Sequence, residues 1–176
     1  MEKIKAWVSK GNTLILEKGA INWAIAQKLI NVTLKAKKDS TIQSFSYANR
    51  RNVAGAQQIN GAIFEVKMDL THPLAYGYNN EKINVFKSGE LFLEKSKNPS
   101  SNPIIFTEKP VQSGYISSKN AKMIPNSVMV DVQSVGKGMI ISFSENPNFR
   151  AFWYGNTKLF MNALFFGRTI DAGTAK

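Results

Sequence analysis

The first thirty residues constrain the fold most, because a short apolar run is set there between two helical patterns. Ile4, Trp7 and Val8 fall at i, i+3 and i+4, with Gly11 where a left-handed C-terminal cap would sit. Thr13-Leu14-Ile15-Leu16, bounded by Gly11-Asn12 and Gly19, predicts a buried strand of the parallel type. From Ala20 to Ile30 the side chains of Ile21, Ala24, Ile25 and Leu29 share one helical face. Helix–strand–helix in so short a span is the pattern of an α/β layer fold.

Further on, the pattern lapses and returns. Residues 33–60 hold Lys35, Lys37 and Lys38 and then mostly Ser, Gln, Asn and Arg, which predicts a long loop or insertion. Tyr47, Arg50 and Arg51 within it either grip an anion or pack locally. Gly61 to Asp69 alternates, with Ala62, Phe64, Val66 and Met68 on one face, so a strand is expected. Ile83-Asn84-Val85-Phe86 is another candidate. Ser127–Val132 and Met139–Phe143, joined through Gly136 and Gly138, predict a hairpin. Thr157–Phe166 predicts a closing helix with Leu159, Asn162, Ala163 and Phe166 on one face, Asn156 as N-cap and Gly167 at its end.

Composition narrows the chemistry. The 176 residues include one His and no Cys, which excludes disulfides, a thiol nucleophile and thiolate metal sites. The chain is long enough to bury the core of one domain, residues 1–176. Its apolar runs, such as Ala163-Leu164-Phe165-Phe166, fall far short of the ~20 residues of a membrane span, and Met-Glu-Lys-Ile-Lys-Ala-Trp has no signal-peptide apolar region. A net charge of +11 is a solvated lysine-rich surface or an attraction to polyanions. No arginine stripe or interleaved aromatic pattern accompanies it, so nucleic acid is not the expected partner.

Three stretches in this order carry a resemblance: Ile4-Lys-Ala-Trp-Val-Ser-Lys-Gly-Asn-Thr-Leu-Ile-Leu16, the segment 61–78 with His-Pro-Leu-Ala-Tyr-Gly-Tyr, and 130–143 running on to Asn148-Phe-Arg-Ala-Phe-Trp-Tyr-Gly-Asn-Thr-Lys-Leu-Phe-Met-Asn-Ala-Leu164. Together they resemble the C-terminal domain of large secreted bacterial zinc-carboxypeptidase-like proteins, a domain similar in fold to class I glutamine amidotransferases. The resemblance implies an α/β, flavodoxin-like three-layer sandwich with additional antiparallel strands. It also implies a periplasmic or extracellular parent, with a catalytic peptidase domain as partner. The peptidase's zinc-binding His-x-x-Glu is absent, since His72 is followed by Pro73, and the amidotransferase Cys is absent too. The implied role is therefore a non-catalytic accessory domain, not an enzyme in itself, with no cofactor. In the family a half-domain precedes the Lys-Ala-Trp-Val helix. The resemblance thus implies a domain incomplete at its N-terminal side, with an exposed sheet edge and self-association as a consequence.

Two places invite chemistry. His72, with Asp69 three residues before it and Tyr76 just after, is either an acid–base pair or a turn whose side chains bond its own backbone. Arg150, close to Trp153 and expected to pair with Glu145, either binds a carboxylate or stacks on Trp153 to brace the last helix. If the fold joins Arg150 with His72 and Asp69, the chain is a binding module for an acidic small molecule or peptide carboxylate. Ser113-Gly114 makes no nucleophile elbow, and Gly136-Lys-Gly138 is too short for a phosphate loop.

Overall fold

A computed structural model describes residues 1–35 and 45–171. They form α1 (Glu2–Ser9), β1 (Thr13–Glu17), α2 (Gly19–Ala26), α3 (Tyr47–Gln57), β2 (Ala62–Met68), β3 (Lys82–Lys87), β4 (Ile104–Ser113), α4 (Ser118–Met123), β5 (Val128–Val135), β6 (Gly138–Phe143) and α5 (Tyr154–Phe166). The class is α/β, as expected. The strands make one six-stranded mixed sheet in the order β1-β6-β5-β4-β2-β3. Only β1 and β6 run parallel; the other neighbours are antiparallel.

Each sheet face buries its own core. One collects Phe64, Val66 and Phe106 from the strands with Leu159 and Ala163 of α5. Phe64 and Phe106 meet edge to face at 6.1 Å, and burying each contributes roughly 1.5–3 kcal/mol. The other face gathers Leu16 and Ile140 under Val8 of α1 and Ile21 and Ala24 of α2. The alternation of 62–68 is realised in β2, whose even-numbered residues are all buried.

Several elements depart from the sequence reading. β1 does pair in parallel, but it is an edge strand and only Leu16 in it is buried. α1 reaches the core through Val8 alone, and Ile4 and Trp7 stay exposed. It docks by backbone approach: a Cβ on Gly138 would collide with the carbonyl of Val8. The expected loop over 33–60 contains α3, a helix with no buried residue and hence no apolar stripe to betray it. Lys37 and Lys38 lie outside the described residues. The hairpin is longer than expected, with Val135 opposite Gly138 across a two-residue turn at Gly136-Lys137. α5 starts at Tyr154, so Asn156 lies inside its first turn and does not cap it. β4 escaped notice because Glu108-Lys109-Pro110 interrupts its apolar pattern; there the strand slips register against β2.

Candidate functional site

The C-terminal ends of the two parallel strands lie side by side, the place where α/β sheets commonly build sites. β1 passes into α2 through Lys18, at φ 49° and ψ −118°. A side chain in that conformation is strained by about 1–3 kcal/mol. The surroundings impose it: the Lys18 N–H donates to Phe143 O at 2.9 Å, closing the ladder, while its carbonyl accepts from Ile21 N–H at 3.0 Å, opening the helix. A sharp, strained strand-to-helix turn is the geometry that hydrolases use to present a nucleophile. Here it presents an amine.

Beside the turn lies a buried ion pair. Lys87, at the end of β3, and Glu145, just past β6, are 0% and 2% exposed and in direct contact. The Lys87 ammonium also donates to Leu91 O at 3.1 Å and lies 5.1 Å from the Phe92 ring centroid. The second Glu145 oxygen accepts the Ser88 N–H at 3.0 Å and sits 3.9 Å from Lys18 Nζ, which itself donates to Ser88 Oγ at 2.9 Å. Burial pushes the Glu145 carboxyl up and the Lys87 ammonium down, and their mutual attraction opposes both shifts. The expected Arg150–Glu145 partnership is thus replaced by Lys87 and Lys18. Over this network opens a cleft of about 560 Å³, lined by Lys18, Asn22, Lys35, Ser88, Phe92 and Glu145 among others. Lys35 is tied to the carbonyls of Met123 and Pro125, each at 2.8 Å.

The residues singled out in the sequence sit elsewhere. Asp69 accepts from the Thr71 hydroxyl at 2.7 Å and the Thr71 N–H at 2.9 Å, and these bonds hold its carboxyl below the usual range. His72 caps the short 3₁₀ turn Pro73–Ala75, its Nδ1 accepting from Leu74 N–H at 3.2 Å. Burial lowers its pKa, against the opposing pull of Asp69, and its Nε2 is buried without a partner among the described residues. Both side chains bond backbone of their own turn. Tyr76 meets Phe166 edge to face. Arg150, at φ 53°, lies 5.2 Å over the Phe149 ring and not over Trp153. Trp153 stacks on Phe152 and lines a separate cleft of about 320 Å³ with Tyr78 and Asn84. Arg50 and Arg51 lie on α3, and Arg50 Nε donates to Phe45 O.

Lys18 and Lys87 were missed by the sequence reading, and only Lys87 left a signal. It shares a strand face with the buried Val85, so a lysine occupies an inward position. Among the described residues no group of His, Asp and Glu side chains converges to hold a metal ion. No helix among them is long and apolar enough to cross a membrane. Compared with protein-family models and with curated proteins, the chain matches none.

Proposed function

We propose that this chain is a non-catalytic structural or interaction domain, akin to the accessory domain of the secreted zinc-carboxypeptidase-like proteins that its sequence resembles. The reading assigns the sheet to the class I amidotransferase-like, flavodoxin-like type. Its support is the parallel β1–β6 pair, the strained turn between β1 and α2, and helices on both faces. It implies a periplasmic or extracellular setting and a catalytic peptidase domain as neighbour.

One observation carries it. Both oxygens of Glu145, the one buried carboxylate at the turn, are committed to Lys87, Ser88 and Lys18. That carboxylate fastens the end of β3 to the segment after β6, and each of its oxygens already has a partner in the fold. The test is turnover by the purified chain on glutamine, peptide and ester substrates. No rate above buffer is expected, whereas a rate lost in Lys18→Ala overturns the reading.

The cleft favours a second reading, a binding module for an acidic small molecule or peptide carboxylate, with its ligand moved from Arg150 and His72 to Lys18. Lys18 shares the cleft lining with apolar Leu34, Leu91 and Phe92. Calorimetric titration with an N-acetylated aromatic amino acid is the check. Saturable binding lost in Lys18→Ala supports this reading, and an absence of heat removes it. A nucleic-acid role remains the least supported; DNA affinity that fails to fall steeply with salt dismisses it.

A further inference from the structure

We propose that the outer edge of β1 pairs antiparallel with β1 of a second copy, two-fold symmetric about Ile15, so that Glu17 of each copy reaches Arg168 of the other. This goes beyond the accessory role and stands without it.

The register follows from the backbone. β6 engages the even-numbered positions: Met139 N–H donates to Asn12 O at 3.1 Å at one end, and Lys18 N–H to Phe143 O at 2.9 Å at the other. In a parallel ladder the intervening bonds alternate, so Leu14 and Leu16 also turn inward. The N–H and C=O groups of Thr13, Ile15 and Glu17 therefore point away from β6, and no described strand lies on that side. Ile15 is midway between Thr13 and Glu17. Rotation about it sets Ile15 opposite itself and Thr13 opposite Glu17, with every outward donor meeting an outward acceptor.

Side chains agree with that register. A two-fold axis normal to the sheet keeps each face on its own side. Ile15 packs on the α5 side, and Thr13 stands there beside Gly167, whereas Leu14 and Leu16 belong to the opposite core. Glu17 of the second copy then arrives next to Thr13, where the Arg168 guanidinium donates to Asn12 Oδ1 at 3.1 Å. No like charges are opposed, and Leu14 meets Leu16. β1 also lacks the usual guards of an open edge, having neither Pro, Lys nor bulge, whereas the far edge, β3, carries the exposed Lys82. Beside β1, the C-terminal part of α5 exposes Leu164 and Phe165 at 56% and 67%.

The experiment is sedimentation equilibrium of the full chain from micromolar to submillimolar concentration, with amide hydrogen exchange at both ends of the range. A dimer is expected. Glu17→Arg and Arg168→Glu should each weaken it at least about tenfold, and the double variant should restore it. The amides of Thr13, Ile15 and Glu17 should exchange slowly only in the concentrated sample, while those of Leu14 and Leu16 stay protected in both. If a variant does not fold, exchange on the unaltered chain decides. A monomer throughout, or a dimer in which those three amides exchange equally fast at both concentrations, overturns the proposal. A monomer without turnover leaves the accessory reading standing; turnover by a dimer does the reverse.

Discussion

Lys18 shows how a single residue reports on its surroundings. At φ 49° and ψ −118° any Cβ is penalised, so glycine should outperform alanine there, the reverse of the ordinary order. Both substitutions delete the bond to Ser88, so the comparison isolates backbone strain. Lys18→Gly is expected to be about 1–2 kcal/mol more stable than Lys18→Ala in urea unfolding. Asp131 offers a second test. It is 3% exposed in β5, with Gln133 Nε2 donating to it at 2.9 Å, and burial pushes its carboxyl up to about 7 from 3.8. Between those values the unfolded chain ionises while the native one keeps its proton. The stabilisation is complete below the lower value and is lost as pH rises through about 7. Thermal unfolding should therefore weaken from pH 5 to pH 8, with on the order of 2–4 kcal/mol coming from this group. In Asp131→Asn that dependence should largely disappear.

At the scale of elements, the Lys87–Glu145 pair joins the end of β3 to the segment after β6, across the width of the sheet. Breaking one side strands a buried charge. Glu145→Leu alone should cost roughly 3–5 kcal/mol, whereas Lys87→Met with Glu145→Leu should recover most of it, a cycle read by denaturant unfolding. Gly138→Ala should push α1 off the sheet through its collision with Val8 O, seen as a change in Trp7 emission and a loss of about 1–3 kcal/mol. The legibility of the fold followed the same physics. β2 was readable because its residues alternate between buried and less buried, and the β5–β6 hairpin because two apolar runs, buried on both faces, flank a glycine-marked turn. α3 was not, since a helix that buries nothing leaves no period, nor was β4, whose pattern Pro110 breaks. The site was less legible than the fold. His72 and Asp69 drew notice by residue type, yet they shape their own turn. Lys18 after β1, Lys87 at the end of β3 and Glu145 after β6 lie 58 or more residues apart in the chain, and their proximity is set by the fold and not by local sequence.

For the whole molecule, the strained turn presents the Lys18 amine where a hydrolase would present a hydroxyl or thiol, and Glu145 beside it is engaged by Lys87 and Ser88. In the proposed reading the molecule acts through its surfaces, the cleft beside Lys18 and the open edge of β1. The most direct measurement is a sensitive turnover assay across amide, ester and glutamine substrates with the unaltered chain, Lys18→Ala and Glu145→Gln. The account expects all three to be indistinguishable from buffer. A rate for the unaltered chain that either substitution abolishes would contradict it.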